Sequence, residues 1–353
     1  MHFTSAFWTL NLFITAICAA PTHRSLTAIS LETVGLFPNG TWLENAAVRS
    51  NGQLLVTLLS SPQVYQVDPF ISQQPQLVQT IPGAEGLLGI GEVEEDVFAV
   101  IAGNLSLATV VSTVAADALP YSGSYSIWKV DVRDSQNPTS SKIVDIPAAQ
   151  FLNGLAVLDT NGSVLVSDSG AGVVYRVDTN TGEYQVVLED PLMKPAAGGV
   201  QLGINGIQIQ NGYLYFTSST QGLFARVAIH PNGTAAGSIE LVASLGGFGD
   251  DFALDRAGDA YIGTNPDDTL IKVTPAGEVT LIAGSINSTA LAGATSTHFG
   301  RTTADESILY VTTSGRFTDA AGEQTFIPGE VIAVRGLQYW LASDFFLRFI
   351  RSD

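Results

Sequence analysis

Hydrophobic residues along this chain of 353 residues recur in a phrase that is spelled in six ways. A β-branched and aromatic run leads into a Gly/Ser/Asp/Pro turn, and a second, alternating run follows. The phrase reads LLVTLLSSPQVYQVDP from Leu54 and VLVSDSGAGVVYRVDT from Val164. It reads LYFTSSTQGLFARVAI from Leu214 and AYIGTNPDDTLIKVTP from Ala260. Two copies are split: VFAVI from Val97 resumes as IWKVDV at Ile127, and LYVTTS from Leu309 resumes as VIAVRG at Val331. Alternation on both sides of a turn predicts a hairpin. Recurrence at roughly 40–50 residues predicts a radial repeat rather than unrelated sheets. Six hairpins, each with two flanking strands, predict an all-β fold, a six-bladed β-propeller. An early strand near residues 31–37 is expected to pair into the last blade, because closure removes an exposed edge.

No long helical periodicity interrupts Ser25 to Gly336, and Gly and Pro punctuate the chain about every ten to twenty residues, as strands and turns require. The extra residues of the second copy, about Leu105 to Tyr125, predict a loop or lid, since insertions lie between strands. The expected organisation is a signal peptide over residues 1–19, a propeller over 20–335 and a tail over 336–353. The signal peptide rests on FWTLNLFITAICAA from Phe7, an apolar stretch ending in small residues. It is too short to span a bilayer comfortably, which takes about 20 residues. Cys18, the single cysteine, falls inside it, so the mature chain has no disulfide or thiolate chemistry. The tail, GLQYWLASDFFLRFIRSD from Gly336, is aromatic. Two readings stand for it: a short amphipathic helix packed on the propeller, or a gene-model artefact.

Charge narrows the partners. The formal net charge is −18, from 33 acidic against 15 basic residues. That excludes nucleic acid, whose phosphates need cations, and disfavours anionic membranes. No membrane association is expected after signal cleavage, and the oligomeric state is not encoded in any pattern. Sequons at Asn39, Asn104, Asn161, Asn232 and Asn287 fit a secretory pathway or a secreted protein, and at Asn137 the triplet is excluded by Pro138.

Four stretches put an oxygen-bearing side chain just before an apolar run: WLENAAV with Glu44, FLNGLAV with Asn153, GINGIQI with Asn205 and GDDFALD with Asp251. In a propeller such residues, repeated at the entrance of innermost strands, converge on the axis. Two carboxylates and two amides are hard ligands, suited to one divalent cation, Ca²⁺ or Mg²⁺. Taken singly, Asn-Gly and Asp-Asp are ordinary turn residues. Near the same mouth stand Arg49, Asp250, His298 and Arg301. Arg301 is a candidate donor to an oxyanion or a partner in a salt bridge to Asp305 or another carboxylate. His298 is a candidate for proton transfer or a loop residue. Trp42, Tyr65, Phe151 and Phe248 are candidates for an apolar pocket or for blade packing. No Ser-His-Asp set, P-loop or dinucleotide fingerprint is present, so no organic cofactor is expected.

With the hairpins between them, the four stretches resemble the senescence-marker-protein-30/gluconolactonase family of six-bladed propellers over roughly residues 36–334. The resemblance implies one divalent cation on the axis held by Glu44, Asn153, Asn205 and Asp251. It also implies a lactonase in which the metal polarises the carbonyl and Asp251 is the general base. LFPNGTWLENAAVRSNGQLLVTLL, DDFALD and TSTHFGRTTADESILYVTT are similar to a fungal secreted branch of that family. That branch includes hetero-Diels–Alderases of tropolone–sesquiterpenoid biosynthesis. It implies a cyclase that joins a tropolone quinone methide to a humulene-type alkene, with hydrophobic small-molecule substrates as partners and Asp251, Arg301 and His298 as the polar candidates. The alternatives are a divalent-metal-dependent lactonase and a propeller that only binds a ligand.

Overall fold

The computed structural model describes residues 28–106, 119, 121–159, 161–198, 200–319 and 321–337. The signal segment with Cys18, residues 107–118 of the insertion and residues 338–353 of the tail lie outside the described residues. Six four-stranded antiparallel sheets follow one another along the chain. Blades 1 to 5 span residues 43–80, 86–145, 152–189, 204–244 and 249–284. Blade 6 takes three strands from residues 294–335 and its outermost strand, Ser30–Asn39, from the start of the fold. Leu31 faces Val334 and Thr33 faces Ile332 in that closing pair. The six-bladed propeller and its closure are thus as the repeat predicts.

Burial grades outward along each blade, as the spelling of the phrase requires. Inner strands such as Leu43–Val48 and second strands such as Leu54–Leu58 are buried throughout. Third strands alternate, and outermost strands such as Thr139–Asp145 are mostly open to water. The core is six apolar clusters, one in each interface between neighbouring blades. Phe224 of blade 4 meets Phe252 of blade 5 edge to face, with ring centroids 5.0 Å apart. Burial of a Phe of this kind contributes about 2–3 kcal/mol. All five sequon asparagines are exposed.

Two features of the inner strands matter for the site. Neighbouring inner strands pack closely, and glycine makes this possible. A Cβ on Gly154 would lie 2.6 Å from the Asn205 carbonyl oxygen, and one on Gly206 2.7 Å from the Asp251 Cα. The Gly of each Asn-Gly pair in FLNGLAV and GINGIQI therefore serves close strand approach, and both pairs lie within strands, Leu152–Val157 and Ile204–Gln210. The turn reading of these asparagines is corrected. Every inner strand also carries a register irregularity near its start, as between Leu43 and Asn45, Leu152 and Leu155, and Gly249 and Phe252. Such bulges re-aim side chains.

The inner strands begin on one face, called here the upper face. Segments joining consecutive blades, and those joining second to third strands, end there. The long ones carry, among the described residues, 104–106 with 119 and 121–125, 190–198 with 200–203, and 314–319 with 321–327. The last contains a small hairpin, Arg316–Thr318 with Gln324–Phe326, outside the four-stranded pattern.

Candidate functional site

A cavity of about 260 Å³ opens on the upper face. Its floor is made by inner-strand starts: Glu44, Asn153, Asn205 and Asp250. Serine and threonine hydroxyls of the second strands hold these starts in place. Ser167 Oγ donates to the Asn205 carbonyl at 2.6 Å, and Thr217 Oγ1 donates to that of Asp250 at 2.8 Å. The same device ties Thr57 of blade 1 to Leu88 of blade 2 at 2.6 Å. The hydroxyl inside each VTLL, VSDS or FTSS spelling thus ties its blade to the next inner strand, and in VSDS and FTSS it fixes a residue of the pocket.

One side of the cavity is apolar: Trp42, Leu59, Leu119, Tyr121 and Phe151. Tyr121 and Phe151 meet edge to face at 5.4 Å. Both Leu119 and Tyr121 come from the insertion in blade 2, so the expected loop does form part of the pocket wall. Phe248 also lines the cavity, whereas Tyr65 packs on Phe37 at 5.4 Å and belongs to blade packing.

The other side is polar. Glu44 Oε2 accepts the Trp42 indole N–H at 2.6 Å. Asp250 Oδ1 accepts Asn205 Nδ2 at 2.8 Å, and Asn205 Nδ2 also donates to Ser219 Oγ at 3.0 Å. Asn205 Oδ1 is buried and has no partner among the described residues. Burial, then the charges of Asp250 and Asp251, hold the Glu44 carboxyl well above the usual carboxylate range. Burial pushes Asp250 up to about 7 against the bonds from Asn265 and Asn205. Two buried carboxylates without a cation beside them are costly when ionised.

Three of the four expected ligands, Glu44, Asn153 and Asn205, meet in this cavity; Asp251 does not line it. The bulge between Gly249 and Phe252 gives adjacent carboxylates different surroundings. Asp250 takes the pocket position, and Asp251, which is not in the lining, accepts from Asn45 Nδ2 through Oδ2. Asn45 Oδ1 accepts the Ala46 N–H at 2.8 Å and faces His298 Nε2 at 3.0 Å. An oxygen facing that nitrogen makes Nε2 the protonated one. Burial lowers His298 to about 4, so it is neutral at ordinary pH, and it does not line the pocket. Arg301 lies at the opposite end of the inner strands. It donates to the Val48 carbonyl at 2.7 Å and pairs with Glu92, not Asp305. Arg49 is held at that end by Asp96 at 2.8 Å. The expectation that Arg301 shares one site with the metal-type ligands is therefore corrected, while Asp251 and His298 are linked through Asn45 outside the pocket lining, with the charge of Asp251 reaching Glu44. The basic residue of the pocket is Arg316, on the small hairpin, which no repeat pattern singles out.

The Asp250 carboxyl makes a pH prediction. Its folded pKa is about 7 against an ordinary 3.8. Between these values the folded chain binds a proton that the unfolded chain releases, so this group's contribution to stability falls as pH rises from about 4 to about 7. With chelator present, Asp250→Asn should melt above wild type at pH 8, and the gap should close as pH falls towards 4. Thermal midpoints of both proteins across that range are the check. A gap that does not change with pH would mean that Asp250 does not titrate in this window.

No family model matches the chain. A protein of Phoma sp named "Putative hetero-Diels-Alderase" is 30% identical over 307 residues, covering 78% of this chain and 84% of its own length. A second, of Sarocladium schorii, named "Putative hetero-Diels-Alderase asR5", is 30% identical over 315 residues, 78% of this chain and 76% of its own. Among solved structures, a luciferin-regenerating enzyme superposes with a TM-score of 0.61 at 14% identity, over 88% of this chain and 96% of that one. The calcium-binding protein regucalcin of Agrobacterium tumefaciens gives 0.54 at 15%, over 88% and 97%. A gluconolactonase of Xanthomonas campestris gives 0.54 at 13%, over 88% and 90%. At these identities the structural likenesses establish the fold alone.

Proposed function

The chain belongs to the hetero-Diels-Alderase family of these relatives, built on the gluconolactonase-like six-bladed propeller, and from that membership we propose that it is a pericyclase. The reaction we assign to it joins a tropolone quinone methide to a humulene-type alkene. The observation that carries the proposal is one pocket lined both by an apolar cluster, the apolar wall, and by a hydrogen-bonded polar cluster, the polar wall. A hetero-Diels–Alder addition needs no proton acceptor and no nucleophile. It needs two reactants held in register, a contribution on the order of several kcal/mol. The apolar wall suits the hydrocarbon, and the polar wall suits the oxygenated heterodiene. A cavity of about 260 Å³ is small for a ligand site. The reacting ends of both partners meet in it, and the rest of each extends through the open mouth.

The polar wall also fits a divalent cation. The partnerless Asn205 Oδ1 and the two buried carboxylates are a hard, anionic donor set, and Glu44, Asp250, Asn153 and Asn205 would hold the ion. When bound, Ca²⁺ or Mg²⁺ supplies Lewis-acid polarisation of a substrate oxygen. That donor set favours a second reading, a metal-dependent lactone hydrolase. The test incubates purified protein with a tropolone quinone-methide precursor and a humulene-type alkene, with and without chelator. Acceleration with stereochemical bias over the spontaneous reaction is expected. Neither effect, together with chelator-sensitive opening of simple lactones, would replace the pericyclase by the hydrolase.

A further inference from the structure

Among the described residues that line the pocket, Arg316 is the one with a positive charge. Other arginines of the fold are engaged: Arg49 with Asp96, Arg226 with Glu240, and Arg301 with Glu92. Arg316 Nε is buried and has no partner among the described residues. The carboxylate that acts on it electrostatically is Asp268, whose Oδ1 is taken by the Gly293 N–H at 2.7 Å. The guanidinium is held by its hairpin rather than by an ion pair. Its backbone N–H donates to Ser314 Oγ at 3.2 Å, and strand Arg316–Thr318 pairs with Gln324–Phe326. Phe326 packs on the apolar cluster that contains Trp42, Leu59 and Tyr121. The hairpin thus reaches from blade 6 to the apolar wall and carries its cation at the pocket.

We propose that Arg316 binds the oxygen end of the heterodiene and so sets the direction in which the diene lies in the pocket. The inference rests on the cycloaddition reading. A cavity-lining guanidinium with no ion pair among the described residues calls for an acceptor from the ligand. A planar guanidinium best takes two adjacent oxygens, the arrangement a tropolone offers. In the addition, one C–C bond forms between the exocyclic methide carbon and an alkene carbon. One C–O bond forms between the heterodiene oxygen and the other alkene carbon. The C=O and C=C π bonds of the diene and the alkene π bond are consumed, and one new C=C forms inside the diene. No proton or electron leaves or enters. A cation at the oxygen draws density from the diene and makes it the better partner for an electron-rich alkene. With the oxygen fixed at Arg316, the methide carbon is directed to the apolar wall, and one regiochemistry is favoured.

The experiment compares wild type with Arg316→Met and Arg316→Lys, using tropolone and humulene as binding probes and a tropolone quinone-methide precursor with humulene for the cycloaddition. Arg316→Met should bind tropolone about tenfold or more weakly while humulene affinity stays within about twofold, and Arg316→Lys should recover part of the loss. The cycloaddition should slow by about ten- to a hundredfold in Arg316→Met, with a broader mixture of regioisomers. If Arg316→Met does not fold, Arg316→Lys against Arg316→Gln gives the same comparison. Tropolone binding unchanged in the uncharged variant overturns the proposal. A wild type that accelerates the addition beside an uncharged variant with unchanged selectivity also overturns it, and leaves the pericyclase standing. A wild type that binds tropolone through Arg316 and accelerates nothing supports this oxygen site and removes the pericyclase.

Discussion

In Val200→Trp the cycloaddition should fall by about a hundredfold while the protein melts at its usual temperature. Val200 lies on the segment between blades 3 and 4, half-buried at the cavity, and belongs to none of the inter-blade clusters. Changes at such places shift stability by about 0.5 kcal/mol or less. The indole would occupy space in a cavity of only about 260 Å³. A pericyclase depends on holding both partners at once, so exclusion of one removes most of its advantage. A shorter alkene should regain part of the rate, because the loss is one of room. Rates of the long and short alkenes on both proteins measure this. An unchanged rate with the long alkene would place the chemistry elsewhere on the molecule.

The blades were readable in the chain because each repeats the same physical problem. Two strands buried on both faces need continuous apolar runs, and a third at the margin needs alternation. LLVTLLSSPQVYQVDP states all of this in one phrase, and its recurrence gives the blade number. The closing strand followed from the need to cover an edge. The site was only partly readable. Glu44, Asn153 and Asn205 stand at equivalent strand starts, and repetition exposes them. Between Asp250 and Asp251 alternation decides nothing, because the strand bulges between Gly249 and Phe252. A one-residue slip there exchanges a pocket residue for one bound to Asn45. Arg301 looked like a pocket donor because GRT follows an inner strand. The end of an inner strand lies at the far face, however, where Arg301 meets Glu92. Arg316 was missed because its hairpin belongs to no repeat; the one trace of it is the gap between LYVTTS and VIAVRG.

Asp250→Asn should separate the two enzymatic readings by orders of magnitude. The substitution keeps the size and one acceptor oxygen for Asn205 Nδ2, which now bonds Asp250 Oδ1 at 2.8 Å. It removes a charge from the floor of the pocket and, with it, both a cation ligand and the carboxylate placed to act as base. A lactone hydrolase needs both, and the two losses fall on the same step. Its turnover should drop by about a thousandfold or more. A pericyclase transfers no proton, and the apolar wall that aligns its reactants is untouched. Its rate should stay within about tenfold of wild type. Asp251→Asn is the internal comparison, since its side chain bonds Asn45 and does not line the cavity. Its charge still bears on Glu44, so it should cost a hydrolase less than Asp250→Asn does and a pericyclase little. The assay follows lactone opening and dihydropyran formation on the same protein preparations. Dihydropyran formation that collapses in Asp250→Asn but survives in Asp251→Asn would show that the carboxylate is a chemical participant. Positioning alone would then no longer account for the reaction.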